Sequence, residues 1–309
     1  MAIGKTVSAG AGAALALELA LLAALATVWG ASYTFIRLGV ASIPPVTLIA
    51  ARTAIAGVLL LGVMRLRGRA LPRDGATWRR FAVQAWLNSV VPFVLIAAAE
   101  RTVEAGLATI LNSTAPVFAF LMTRVMVRHE PATARKLAGV AAGLAGICLV
   151  VGPQALGGVG ENALAQLAIV AATVCYAGAA MFGRRFEGLD PMAPAAGSML
   201  CGAAVLVPLS LAVDRPWTLA PTAGSLLALL GLSVISTALA FVIYFRLIRT
   251  LGSIGTTAQA YLRVPIGVGL GALFLGERLA PTAWLGCVCV VAGVAAMALP
   301  ARRAPSSRA

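Results

Sequence analysis

The sequence predicts an all-α membrane protein of ten transmembrane helices, arranged as two inverted five-helix repeats. Three observations carry that expectation: an apolar composition, ten apolar runs of spanning length, and a repeat of the first half of the chain in the second. Of 309 residues, 61% are hydrophobic and 11% charged, and the mean hydropathy is +0.96. Soluble domains average about 25% charged and 45–50% apolar residues. At about 20 apolar residues per span, the length leaves room for ten helices with tight loops and for no sizeable soluble domain.

Apolar runs bounded by charge, proline or glycine lie near 17–38, 44–64, 80–99, 105–126, 135–152, 162–183, 194–213, 222–246, 254–276 and 281–299. The breaks between them are short, as expected for antiparallel neighbours. The first run follows a single Lys5 but is too long for the apolar core of a signal peptide, and part of it recurs later in the chain. It is read as a retained helix.

Charge placement gives an orientation. With the amino terminus cytoplasmic, the inner segments hold Lys5, the six arginines from Arg65 to Arg80, Arg124, Arg128, Arg135, Lys136, Arg184, Arg185, Arg246, Arg249, Arg302, Arg303 and Arg308. The outer segments hold only Arg37, Arg101, Arg215 and Arg278, so 18 of the 24 basic residues are inside and both termini are expected in the cytoplasm. The net charge of +14 is then a topology signal facing anionic lipid, not the mark of a nucleic-acid partner. The five cysteines, Cys148, Cys175, Cys201, Cys287 and Cys289, sit in apolar stretches without CxxC spacing and read as small packing residues.

The repeat runs at an offset of 146 to 149 residues. Leu21, Ala26, Thr27, Val28 and Ala31 recur as Leu167, Ala172, Thr173, Val174 and Ala177. Phe93, Val94, Arg101 and Thr102 recur as Phe241, Val242, Arg249 and Thr250, while Gly106, Pro116, Glu130, Gly139 and Gly146 recur as Gly255, Pro265, Glu277, Gly286 and Gly293. The chain therefore divides into repeats 1–152 and 153–309, together one transmembrane domain. Five helices per half is odd, so the second half enters the membrane in the opposite sense, an architecture that exposes a central site alternately to either side.

Polar groups inside spans are costly and mark candidate sites. Arg52 lies seven residues past Pro45, about 10 Å deep, and Arg263 eight residues past Gly255, about 12 Å deep. Neither has a charged counterpart in the other repeat. They read as holders of a carboxylate or phosphate, the alternative being snorkelling or capping of a neighbouring helix end. The acidic residues Glu18, Glu100, Glu104, Glu130 and Glu277 fall at span ends, which disfavours purely cationic cargo. Trp29, Tyr33, Trp86, Asn88, Asn112, Tyr176, Tyr244 and Gln259 complete the expected substrate-binding set. The alternatives are lipid-facing belt or packing for the aromatics and interhelical hydrogen bonding for the amides.

Pro92, Pro116, Pro208 and Pro265 fall inside spans, and the repeat-matched pair Pro116 and Pro265 is the expected hinge. Gly139, Gly143 and Gly146 in helix 5, with Gly286 and Gly293 in helix 10, form small-residue faces for close helix packing, either within the chain or in a homodimer through helices 5 and 10. Asn112-Ser113-Thr114 has the glycosylation pattern but lies within a span, and Gly267-x-Gly269-x-Gly271 follows no strand. His129 is the single histidine and sits in a basic loop. No catalytic residues, metal site or cofactor are expected.

The motifs Val28-Trp29-Gly30-Ala31-Ser32-Tyr33, Pro44-Pro45 followed by Ala51-Arg52, Pro116 followed by Arg128-His129-Glu130-Pro131, and Pro265 with Leu275-Gly276-Glu277-Arg278-Leu279 resemble the EamA branch of the drug/metabolite transporter superfamily over nearly the whole chain. The Arg128-His129-Glu130 order departs from the more usual Gly-Glu-Arg. The resemblance implies a ten-helix inverted-repeat carrier, often an inner-membrane exporter of amino acids or related metabolites. The combined expectation is a secondary transporter in the lipid bilayer that exports a small carboxylate-bearing metabolite, amino acids first, by alternating access. The alternatives are multidrug or other metabolite efflux and, from another class, a non-transporting membrane scaffold or sensor.

Overall fold

The computed structural model describes residues 3–99, 102–103, 110–126, 133–152, 156–157, 159–266 and 281–299. All regular structure among them is helical. The main helices are α1 (Ile3–Gly39), α2 (Pro45–Leu66), α3 (Gly75–Ala85), α4 (Val91–Ala99), α5 (Ala115–Met126), α6 (Ala134–Val151), α7 (Ala163–Gly183), α8 (Met192–Val213), α9 (Ala223–Ser233), α10 (Ala240–Thr257) and α11 (Pro281–Ala298). A further helical stretch covers 259–266. Seven helices among the described residues are long and apolar enough to cross a membrane: Ala14–Ser32, Pro45–Leu66, Ala134–Val151, Ala163–Phe186, Met192–Val213, Ala223–Thr257 and Pro281–Ala298. Ile110–Val125 is a shorter apolar helix.

Two of the expected spans are interrupted by wide turns at repeat-equivalent positions. α3 passes into α4 through a π-turn at Trp86–Val90, and α9 into α10 through one at Val234–Leu239. The first has a local cause: Pro92 has no N–H to give the Asn88 carbonyl, and its ring crowds that carbonyl. The ladder widens just before it, with Val91 N–H donating to Trp86 O, five residues back. Ala240 stands at the equivalent place in the second half, so the π-turn there depends on tertiary partners described below.

Cross-chain contacts fix the two ends of the bundle. Arg69 pairs with Asp190, Arg246 with Glu18, and Arg135 donates to Leu299 O at one end. At the other, Ser42 meets Thr222, and Asp214 accepts from Thr47 N–H and Oγ1, each at 2.8 Å. The Asp214 carboxylate thus satisfies an orphan amide at the start of α2 and complements its dipole. The first end carries most of the arginines and is called the basic end below. α1 leaves it and α7, the first helix of the second half, arrives at it, so the two halves run in opposite senses.

The packing repeats that antisymmetry. α2 lies along α8 and α6 along α11, each with its own counterpart, and the pair α4 with α7 is mirrored by α10 with α1. The α6–α11 crossing shows why the glycines are there. A Cβ on Gly139 would stand 2.7 Å from Gly293 O, and one on Gly146 2.6 Å from Gly286 O; the reciprocal distances from Gly293 and Gly286 are 2.6 Å. A Cβ on Gly143 would sit 2.4 Å from the Tyr261 ring. These small-residue faces are used within one chain, as one of the two sequence readings expected.

The helix boundaries depart from the sequence in informative ways. The eighth run, expected over 222–246, continues helical to Thr257 across a kink at Gly252, whose φ of 75° and ψ of 179° lie outside the helical region. At φ 75° a side chain would be strained, so glycine at this position permits the kink. In the first half the break falls at Ser113–Thr114, beside Pro116, where Ser113 and Thr114 N–H groups donate three residues back to Ile110 O and Leu111 O. Pro265 shows no such break: the helix runs through it to residue 266. Of the expected hinge pair, Pro116 thus stands beside a break and Pro265 inside a continuous helical stretch. The turn at Arg128–Pro131 and the segment 267–280 lie outside the described residues.

Candidate functional site

The centre of the bundle is organised by the second π-turn. Ala240 N–H donates to Ile235 O and Thr237 O and skips Ser236 O, the ordinary α-helical acceptor. That carbonyl accepts instead from Trp29 Nε1 of α1 at 3.1 Å and from Arg52 Nη2 of α2 at 3.5 Å. Ser236 Oγ donates back to Val28 O, and Thr237 Oγ1 donates to Leu232 O while accepting from Arg52 Nε at 2.6 Å. One widened turn thus ties three helices together, because a carbonyl released from the ladder in a low-dielectric interior must find another donor.

The two buried arginines have different surroundings. Arg52 is 4% exposed, holds Thr237 and Ser236, and lies 5.0 Å from the Phe93 ring centroid. Two of its nitrogens, Nε and Nη2, are engaged by the fold. Arg263 is half-buried; its one hydrogen bond among the described residues is from Nε to Gln259 Oε1 at 2.9 Å, and its guanidinium lies 5.1 Å from the Trp29 ring centroid. Gln259 and Trp29 fix the plane of the group while Nη1 and Nη2 remain available. That is the edge with which arginine grips a carboxylate in two parallel bonds.

Two chambers meet at this point. The larger, of about 310 Å³, is lined by Arg52, Phe93, Leu48 and Leu232 among others and reaches Val40 and Pro45 at the end opposite the basic one. The smaller, of about 40 Å³, extends past Ala115, Tyr244, Thr257 and Gln259. Trp29, Asn88, Asn112, Tyr176 and Arg263 line both. The floor is polar and the walls are apolar, and no described lining residue carries a carboxylate.

Of the residues expected from sequence, the structure brings Trp29, Arg52, Asn88, Asn112, Tyr176 and Arg263 to the larger chamber, and Tyr244 and Gln259 to the smaller. Trp86 is corrected: it is 47% exposed on the outside of the bundle, because two residues along a helix is about 200° and Asn88 takes the inner face. The side chain of Tyr33 lies outside the described residues.

Sequence reasoning missed what closes the basic end. From Trp29 a column of rings runs through Phe241, Tyr244, Phe245, Phe186 and Phe81 to Trp78, with neighbouring centroids 5.2–6.3 Å apart. Such pairs contribute about 0.5–1.5 kcal/mol each beyond their area. The Phe241/Phe245 and Phe182/Phe186 spacing of four is the signal that could have found it. Beside the column, Glu18, 9% exposed, accepts from Arg246 Nη2 at 2.7 Å and Thr250 Oγ1 at 2.9 Å. The sequence placed Arg246 at the inner end of the eighth run and Glu18 at a span end without pairing them.

A helical bundle with antiparallel halves and a central, polar-floored chamber open towards one end defines the class of membrane transporters built from two repeats. Consistent with that geometry, the EamA-like transporter family matches residues 16–152 and again 163–299, and the chain belongs to this family. It is 29% identical over 280 residues to the "Uncharacterized inner membrane transporter YedA" of Escherichia coli strain K12, covering 90% of this chain and 89% of that one. It is also 29% identical over 280 residues to the "Probable terminal-alkyne amino-acid exporter" of Streptantibioticus cattleyicolor, covering 86% and 88%. A solved crystal structure 18% identical in sequence shares the fold at a TM-score of 0.75, covering 91% of this chain and 96% of that one.

Proposed function

We propose that this transporter is a secondary carrier that exports small carboxylate-bearing metabolites, amino acids first, across the inner membrane by alternating access. In this reading ten helices cross the bilayer as inverted repeats over 1–152 and 153–309. The spans 75–99, 110–126 and 254–276 join the seven long apolar helices. The basic end and both termini face the cytoplasm, and the structure is open outward and sealed inward by the ring column.

The observation that carries the reading is Arg263, held by Gln259 and Trp29 with its outer edge turned to a chamber whose other walls are apolar. A carboxylate on Arg263 would form charge-assisted bonds contributing about 1.5–3 kcal/mol each, and the side chain would lie against Phe93, Leu48 and Leu232. The chamber volume of about 310 Å³ is at the small end of the roughly 300–1,000 Å³ usual for ligand sites, which suits a metabolite better than a large drug. The exporter name of the Streptantibioticus relative supports the same cargo class.

The test is thermal stabilisation of the detergent-purified protein across amino acids, organic acids, nucleosides and lipophilic cations, since a ligand of the folded state raises the melting temperature by mass action. Stabilisation by amino acids that is lost in Arg263→Ala supports the reading. Stabilisation by cations alone discards it in favour of drug efflux. Stabilisation by none of the panel, with no solute flux in proteoliposomes and a stable partner protein, supports a scaffold or sensor.

A further inference from the structure

Buried polar side chains without partners are few in native proteins, because each carries its full desolvation cost. Among the described residues, most such atoms lie on the third span. Gln84 is fully buried and neither its Oε1 nor its Nε2 has a partner; Asn88 Nδ2 and Ser89 Oγ are in the same condition. So is Thr123 Oγ1 on α5, the helix on the other side of Gly178: a Cβ there would stand 3.9 Å from both Leu87 and Met122. The second repeat has no such row. At an offset of 148, Asn88 and Ser89 correspond to Ser236 and Thr237, whose hydroxyls are bonded to Val28 O and Leu232 O, and Gln84 corresponds to the apolar Leu232.

The row has a direction. Asn88 lines both chambers, and Gln84 lies one turn nearer the basic end, on the face of α3 that carries Phe81. Phe81 stacks on Phe186 at 5.5 Å within the ring column, so Gln84, three residues on, lies beside the column that closes the basic end.

We propose that Gln84 and Thr123, continuing the polar face that begins at Asn88, line the half of the substrate route that is closed in this structure, and that they contact the substrate's polar groups once Phe81 and Phe186 part. The two amides and the hydroxyl offer donors for a carboxylate and acceptors for an ammonium, without a charge that would trap either. Gln84 and Thr123 have no protein partner for these atoms among the described residues, which leaves them to water and substrate when the route opens. The inference rests on the transport reading of the preceding subsection.

The test uses the full chain with its five cysteines replaced by alanine, carrying Gln84→Cys, Phe186→Cys, Ile36→Cys or Ser198→Cys, in membrane vesicles of either orientation treated with an impermeant methanethiosulfonate. We expect Gln84→Cys and Phe186→Cys to react only from the basic-end face and Ile36→Cys only from the opposite one, with Ser198→Cys inert. Adding Glu18→Ala, which releases Arg246, is expected to speed reaction at Gln84→Cys at least fivefold. If Phe186→Cys reacts and Gln84→Cys does not, the route runs elsewhere and the transport reading stands; if neither reacts from the basic end, both fall. Should Gln84→Cys fail to fold, Gln84→Leu serves instead: it is expected to melt higher and to slow reaction at Phe186→Cys at least tenfold, and an unchanged rate overturns the proposal whatever the melting temperature.

Discussion

The guanidinium of Arg263 lies 5.1 Å from the ring centroid of Trp29, a contact that joins the second repeat to the first at the floor of the larger chamber. Trp29 is in turn held by its indole N–H on Ser236 O, the carbonyl that the second π-turn releases. A cation over an indole gains about 0.5–2 kcal/mol depending on how far it is desolvated, and the ring fixes the guanidinium plane without using its outer nitrogens. The site is therefore organised before ligand arrives.

Arg263→Ala is expected to lower ligand affinity at least thirtyfold, about 2 kcal/mol, with little loss of melting temperature in the absence of ligand. Arg263→Lys keeps the charge but not the planar fork and is expected to recover only part of that affinity. Isothermal titration with the ligand found by thermal stabilisation measures both.

Arg52→Ala is expected to act the other way. It removes the donors to Thr237 and Ser236 and the contact with Phe93, so the unliganded protein should lose about 1–3 kcal/mol, read as a lower melting temperature, while ligand affinity changes less than tenfold. Full loss of binding with unchanged melting would instead place the ligand on Arg52.

At the α6–α11 crossing, Gly139→Val puts a side chain where Gly293 O stands 2.7 Å from the added Cβ. Overpacking of this kind costs about 1–3 kcal/mol, and a backbone oxygen cannot rotate away. Gly62→Val, with nothing within 4 Å of its added Cβ, should leave the melting temperature nearly unchanged, so the two melting curves together check the crossing.

Glu18→Gln removes the carboxylate that holds Arg246 and Thr250 beside the ring column. Because the Arg246 side chain is 43% exposed, the pair is expected to contribute less than about 1 kcal/mol to stability. Its effect should appear in conformation: faster reaction of Phe186→Cys from the basic-end face, at nearly unchanged melting temperature.

The sequence reached most of the cavity because polar and aromatic groups inside apolar runs have few places to go. Trp29, Asn88, Asn112, Tyr176 and Arg263 were legible on that ground alone, and the glycines of α6 and α11 announced a close crossing. Trp86 was misplaced although periodicity could have excluded it, because at about 100° per residue it stands about 200° from Asn88 and cannot share its face. Gly252 was missed as a kink because it sits between two apolar runs and reads there as an ordinary boundary.

By itself the sequence determined that this is a membrane protein with a tandem repeat, since an 11% charged chain has no other way to keep its apolar surface from water and the residue identities recur at a nearly fixed offset. Only the tertiary structure decided what each buried arginine holds. Arg52 and Arg263 look alike in the chain. The difference lies in Ser236 and Thr237, nearly two hundred residues from Arg52, which engage one guanidinium, and in Gln259 and Trp29, which hold the other by Nε and by its face. Hydrogen-bond partners brought together across such separations are set by how the helices pack, and no local pattern encodes them.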